Sequence, residues 1–369
     1  MQRLSAALSH ASTWPRCAPR FLSLGRRQRP PFRSGLYVTQ TPAQYDVIAI
    51  GNAIVDVIAR EDDAFLATHA LTKGAMQLLD AETAEFLYDA MGSAVEISGG
   101  SAANTLAGMA AFGKSCAFIG QVRDDQLGQV FAHDIRALGI AFDTPVRTQE
   151  PPTARCLIMV TPDAQRTMNT YLGASQFLPA LALDKTTIQA AKILYLEGYL
   201  WDPEEPRAAM RTAIGYAKEA GRKVAFTLSA DFVIARHRAD FLALIEEGLI
   251  DILFSNEDEI RALTELESLE AAIAAIAPKV PVLVCTCGAE GAIAIVDGVR
   301  SETTAAPVAQ IVDTTGAGDL FASGFLTGYV DGLSVEDSLK LGAIAAAEVI
   351  SHYGARPEAD LKLLRAQQL

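Results

Sequence analysis

Residues Asp313–Phe325 read DTTGAGDLFASGF. Seven positions hold two acids, two threonines and two glycines, and an apolar, helix-like run follows at once. Glycines at Gly316 and Gly318 let backbone N–H groups come close to an anion. A helix starting there adds unpaired N–H groups and the positive end of its dipole. Asp319 falls in the first turn of that helix, beside the anion site. A carboxylate in that place can take the proton of a hydroxyl while the hydroxyl oxygen attacks phosphorus. The dipole is expected to keep it ionised. The chemistry suggested is phosphoryl transfer, with Asp319 as base and the amides of Gly316, Ala317 and Gly318 as anion hole.

A first-turn Asp and a Gly-rich bend also occur in α/β proteins for structural reasons alone. Other readings of the stretch fail on spacing. A dinucleotide fingerprint needs a third glycine where Phe321 stands. No Lys-Ser or Lys-Thr follows either glycine, so the bend is not a P-loop. An aspartic protease needs Asp-Thr-Gly, and Asp313-Thr-Thr-Gly does not supply it.

The bend needs a frame. From Tyr45 onward, short apolar β-rich runs alternate with amphipathic helical ones. Strands are expected at 45–51, 116–122, 192–200, 223–229 and 251–256, then in VPVLVCTCG and GAIAIVDG, and in the AQIV run before Thr314. Helices are expected at 101–113, 127–139, 205–221, in EDEIRALT and SLEAAIAAIAP, and at 317–332 and 335–352. Continuous apolar strands between such helices imply an α/β fold in three layers, with a largely parallel central sheet covered on both faces. In such sheets, sites lie at the carboxyl ends of strands. Residues 144–173, with 53–62, 74–79 and 93–98, break the rhythm and carry no helical pattern. They are expected to form a small β-sheet lid over one end of the main sheet.

Of the 369 residues half are hydrophobic, ample for a large core. The formal net charge is −13, yet residues 1–45 carry seven arginines and no acid, which leaves −20 on 46–369. Such a body repels nucleic acid and anionic membranes. Residues 1–44 read either as an Arg- and Ser-rich mitochondrial leader or as a mis-started segment ahead of the natural amino terminus. A cytoplasmic location is expected, or a mitochondrial one if the leader is an import signal. No apolar run approaches the ~20 residues of a membrane span. Five cysteines (Cys17, Cys116, Cys156, Cys285, Cys287) include no CxxC pair and read as buried thiols.

DTTGAGDLFASGF resembles the carboxy-terminal signature of the ribokinase/PfkB carbohydrate and nucleoside kinases. SGGSAANTLAGMAAFG (98–113) is similar to the family's amino-terminal glycine region, and IGQVRDDQLGQVF follows it with Arg123 where a glycine is common. The resemblance covers about residues 45–365 and implies a ribokinase-like domain that uses ATP and Mg²⁺. It gives Asp319 the role of base and Gly316, Ala317 and Gly318 that of anion hole. Asn256 and Glu259 match the family's Asn-x-x-Glu, which implies Mg²⁺ or its waters. By residue type alone they are a solvated acidic helix start. Thr286, Gly288 and Gly291 would shape the nucleotide loop, and Gly354 in SHYGARP would lie near the adenine. His352 reads equally as a nucleotide contact or a helix cap. On the acceptor side Asp56 would hold two sugar hydroxyls, with Gly100, Asn104 and Asn52 beside it. Alternatively Asp56 sits on the wet face of an edge strand.

YDVIAIGNAIVDVIA, SGGSAANT and YLEGYLWDP look most like the bacterial adenosine-kinase branch, which implies transfer from ATP to the 5′-hydroxyl of adenosine. Met168, Tyr171 and Leu172 are candidates for an apolar base slot. A free-sugar kinase of ribokinase or fructokinase type shares every catalytic residue. A non-catalytic nucleoside sensor is the rival from another class. The expected partners are ATP and a small nucleoside or sugar, in a monomer or homodimer.

Overall fold

The computed structural model describes residues 43–163 and 165–369. The expected leader, residues 1–44, and Cys17 lie outside them apart from positions 43 and 44. Among the described residues thirteen strands run in chain order. They are β1 (Tyr45–Ile50), β2 (Ile54–Arg60), β3 (Met76–Leu78), β4 (Ala94–Gly99), β5 (Cys116–Ile119), β6 (Ala154–Val160) and β7 (Arg166–Tyr171). Then come β8 (Ala191–Glu197), β9 (Lys223–Thr227), β10 (Ile252–Asn256), β11 (Val282–Thr286), β12 (Ala292–Val296) and β13 (Val299–Thr303). The helices are α1 (Asp63–Thr68), α2 (Ala81–Ala90), α3 (Ser101–Ala111), α4 (Gln126–Ala137), α5 (Lys185–Gln189) and α6 (Glu204–Glu219). They continue with α7 (Asp231–Glu246), α8 (Glu257–Thr264), α9 (Leu269–Ile276), α10 (Ala317–Asp331), α11 (Val335–Val349) and α12 (Leu361–Gln368).

The main sheet has eight strands in the order β13-β12-β11-β10-β9-β8-β1-β5. From β11 to β5 all pairs are parallel; β12 and β13 are antiparallel hairpin additions at one edge. Alternation along β1 feeds two cores. Val47 and Ala49 pack with Leu106, Phe321 and Phe325 of α3 and α10. Ile48 and Ile50 join the layer built on Met210, Ile214, Phe241 and Ile260 of α6, α7 and α8. Burying both faces of parallel strands is what their unbroken apolar composition requires.

A second sheet, ordered β3-β7-β6-β2-β4, is built from the regions expected to stand apart. One face carries Val55, Val57, Leu157 and Met159 into the core with Leu66 of α1 and Leu87 of α2. The other face lines a cavity described below. β2 lies between β6 and β4, so Asp56 is not on an edge strand, and that alternative is withdrawn. Residues 144–153 add no strand to this sheet; only an isolated bridge joins Arg147 to Arg123.

Two further expectations change. No strand precedes Thr314: residues 304–316 are irregular, and Val312 and Asp313 donate instead to the Ile350 carbonyl at the end of α11 (2.8 and 3.3 Å). The loop is therefore anchored by a helix end, not by the sheet. Helix α7 also went unread, because its apolar stripe is interrupted by a kink at His237 (φ −123°, ψ 18°).

Candidate active site

Order in the main sheet reverses at β1. The chain leaves it for β5 on one side and returns to β8 on the other, so the crevice between β1 and β8 is a topological switch point, where open α/β sheets place ligands. A cavity of about 380 Å³ opens at these carboxyl ends. It is floored by the main sheet and the starts of α3, α8 and α10, and roofed by the second sheet.

Helix α10 begins at Gly316, whose φ of +78° is a left-handed conformation that costs a glycine little. The turn is closed by the Ala317 N–H, which donates to the Thr314 carbonyl (3.2 Å). Ala317 is thus not a free donor, contrary to expectation. Among the described residues no acceptor takes the N–H groups of Gly316, Gly318 or Asp319. Space beside Gly318 is empty within 4 Å of where a Cβ would stand.

Asp319 is half-buried and held by α3: Ser101 Oγ donates to Oδ1 (2.6 Å) and Asn104 Nδ2 to Oδ2 (3.0 Å). Burial raises its pKa above the ordinary 3.8. The hydrogen bonds from Ser101 and Asn104 and the Arg356 guanidinium work the other way. Desolvation, which the expectation from the helix dipole left out, therefore sets the direction. Gly100 starts α3 at φ +96°, and a Cβ there would lie 2.3 Å from the Asn52 carbonyl oxygen, so the β1 loop and α3 meet only because position 100 is glycine.

Asp56 projects from β2 into the same cavity, its pKa pushed up to about 6 by burial; Arg166 and Arg356 offset part of that push, and Asp319 and Asp313 add to it. Around it the second sheet presents Met76, Leu78, Cys156, Ile158, Met168, Thr170 and Leu172. Thr170 Oγ1 already donates to Cys156 Sγ (3.2 Å), so this wall is apolar in effect. Tyr171 is not part of it: strand alternation turns it away from Met168 and Thr170, against the view that it belongs to a base slot.

At the other end α8 begins with a closed capping box. Asn256 Oδ1 accepts from the Glu259 N–H (2.8 Å), while Glu259 accepts from Asn256 N (3.0 Å) and Nδ2 (2.9 Å). Burial pushes Glu259 up to about 7. An oxygen-only pair, with a carboxylate short of counter-charge, fits a Mg²⁺ ion that keeps most of its waters. No cluster of three or more metal-ligating side chains occurs among the described residues. Thr286 lines the cavity with them. Gly288, Gly291 and Gly354 do not: the first two bound the turn from β11 into β12, and Gly354 N donates to Asp313 Oδ2 (3.0 Å). His352 lies against Glu348 (3.1 Å) at the end of α11, outside the cavity wall, as a helix-end residue does.

Three charged groups escaped the sequence reading. Glu197 ends β8 and is 1% exposed. Its one signal was an acid closing the apolar run KILYLE. Arg356 donates to the Ser98 carbonyl (2.7 Å) and the Ala103 carbonyl (2.6 Å), and burial lowers its pKa to about 10. Arg166 of β7 pairs with Asp313, and both are buried. Neither arginine had a spacing that gave it away. A match to GxxxxGK[ST] does occur at Gly108–Ser115, but it spans the end of α3 and the turn into β5, and Lys114 pairs with Asp331. A P-loop needs the reverse order, strand then helix start. Cys116, Cys156, Cys285 and Cys287 are buried free thiols, and among the described residues no helix is long and apolar enough to cross a membrane.

Residues 46–361 match the pfkB family carbohydrate kinases. The crystal structure of an adenosine kinase from Sinorhizobium meliloti is 46% identical, covers 89% of this chain and all of its own, and superposes with a TM-score of 0.82. The adenosine kinase of Saccharomyces cerevisiae is 26% identical over 330 residues, covering 84% of this chain and 95% of itself. A 5-dehydro-2-deoxygluconokinase of Shouchella clausii is 24% identical over 322 residues, 85% of this chain and 92% of that one.

Proposed function

Since the chain belongs to the pfkB family of carbohydrate kinases, which use ATP as cosubstrate, we propose that it passes the γ-phosphoryl group of ATP to the 5′-hydroxyl of adenosine. The observation that carries this reading is the shared cavity: an acid, Asp319, beside unpaired amides at one wall, and a second acid, Asp56, set in an apolar wall opposite. Asp56 would accept two ribose hydroxyls, with Asn52, Gly100 and Asn104 around the sugar. The base would lie against Met168, Cys156, Ile158 and Leu172. These side chains offer it surface and no hydrogen bond, which suits a flat, largely apolar ring better than a free sugar.

In the transfer itself, Asp319 takes the 5′-hydroxyl proton as that oxygen forms its bond to the γ-phosphorus and the bond to ADP breaks. The N–H groups of Gly316, Gly318 and Asp319 meet the charge that develops on the phosphoryl oxygens. Asn256 and Glu259 would hold Mg²⁺ through water, and the ion would neutralise phosphate charge when bound. Thr286 would face the nucleotide, with Gly288 and Gly291 shaping its loop and Gly354 behind it. The second sheet acts as a lid that keeps water from the γ-phosphate.

A free-sugar acceptor is the second reading. The Shouchella relative and the Asp56 carboxylate favour it, while the apolar wall does not. ATP consumption measured with adenosine, ribose and fructose separates the readings. Turnover is expected with adenosine. Turnover with ribose or fructose alone would move the assignment to a sugar kinase, and adenosine binding with no turnover would make the protein a sensor.

A further inference from the structure

Glu197 is a buried carboxylate whose hydrogen-bond partners are all neutral N–H groups. Asn52 Nδ2 donates to Oε1 (2.7 Å), with Asn52 N at 3.4 Å, and Ala102 N donates to Oε2 (2.9 Å). The two sets of donors belong to different parts of the site. Asn52 follows β1, and its Oδ1 lies 2.8 Å from Ser175 Oγ, three residues beyond Leu172 in the apolar wall. Ala102 is in the first turn of α3, whose Ser101 and Asn104 grip Asp319. One side chain therefore ties the acceptor wall to the helix that aims the base.

Nothing but a carboxylate does this. A glutamine has one acceptor oxygen, so with Asn52 oriented as it is its amide nitrogen would face an N–H at one of the two sides. An apolar residue would leave buried donors without partners. The charge is retained at a cost, since burial pushes Glu197 up to about 7. A charge kept inside without a cation needs a reason, and here the reason is geometric.

We propose that Glu197 is a positioning residue for phosphoryl transfer: it holds Asn52 and the start of α3 in register, so that the acceptor hydroxyl meets Asp319. This rests on the assignment of the cavity as the acceptor and transfer site. The test is a double-mutant cycle on E197Q and N52D, run with whichever of adenosine, ribose or fructose the wild-type protein phosphorylates. E197Q puts N–H against N–H unless Asn52 turns its amide over, which takes its acceptor oxygen away from Ser175, and N52D puts two carboxylates together. The pair together exchanges donor for acceptor: the new amide at 197 accepts from Ala102 N and donates to the new carboxylate at 52, which still accepts from Ser175.

Each single variant is expected to lower kcat by about tenfold to a hundredfold, the scale of a misplacement near 1 Å. Acceptor KM rises and ATP KM stays put. The double variant is expected to recover kcat to within about threefold of wild type. Recovery is read in kcat, because the carboxylate at 52 lacks the second amide hydrogen that Asn52 can offer an acceptor. Singles that turn over like wild type would overturn the proposal. So would a double variant no better than its worse parent while thermal melting shows all four proteins folded. A wild-type protein that phosphorylates none of the three acceptors removes the premise and the proposal with it, and that is seen before any variant is made.

Discussion

Helices α8 and α10 begin on the same cavity, each with an acid in its first turn, and they are finished in opposite ways. At α8 the acid folds back: Glu259 and Asn256 satisfy each other's N–H groups in a closed box. At α10 the acid turns outward to α3, no side chain caps the helix, and the N–H groups of Gly318 and Asp319 are left over. The first is how a protein stabilises a helix start. The second gives up that stabilisation, worth roughly 1 kcal/mol, and leaves bare N–H groups of the kind that can bind an anion. Similar strings in the sequence, an acid three residues into a helix, thus stand for different physics.

Substitutions at the two starts should sort accordingly. The largest effect is expected from Asp319→Asn, which should lower kcat by at least ~10² while acceptor and ATP binding stay nearly intact. Because burial raises the Asp319 pKa, the acid limb of the wild-type rate profile should lie above the ordinary aspartate value, with activity lost as pH falls through it. The variant should lose that step and keep only the acid losses set by Asp56, raised to about 6, and Glu259, raised to about 7. Unchanged kcat would make the two starts equivalent.

Next in size is Gly318→Ala. The new methyl meets no protein atom, so stability should hold or rise slightly by the helix propensity of alanine, about 0.5–1 kcal/mol. It does intrude where a phosphoryl group would sit, and kcat should drop by about tenfold, the low side of losing one oxyanion contact. Full activity would show that no anion uses that space. The smallest expected effect is Asn256→Ala. It opens the α8 box and should cost about 1 kcal/mol in denaturant unfolding, the kind of loss that the α10 start cannot show, together with a weaker hold on Mg²⁺ and so a higher Mg²⁺ requirement. Loss of activity with no loss of stability would mean that the box adds nothing to the helix and that Asn256 serves the ion alone.

The scaffold was legible because its signals are periodic. Continuous apolar runs such as YDVIAI and KILYLE, bounded by turn residues and alternating with helices, read as buried strands of a parallel sheet, and the Gly-rich bend at 316–318 marks itself by composition. What failed was set by distance. Tyr171 was misjudged because a slot was read from residue type and not from strand alternation. The AQIV run looks like a strand, yet its partner is the end of α11. Glu197, Arg356 and Arg166 acquire their roles only from elements far away in the chain, at 95 residues from Ala102 and 258 from Ser98 in the first two cases. Charged residues of that kind leave no local pattern.

The ion pair of Arg166 with Asp313 carries a mechanical consequence. Arg166 opens strand β7 of the roof, and Asp313 also receives the Gly354 and Thr315 N–H groups beneath the α10 bend. Pulling them apart would strand a charge indoors at about 3–5 kcal/mol, leaving roughly one molecule in a hundred or fewer in that condition. The roof is therefore fastened at the start of β7, beside its turn from β6, and any opening that lifted this corner would have to break that pair.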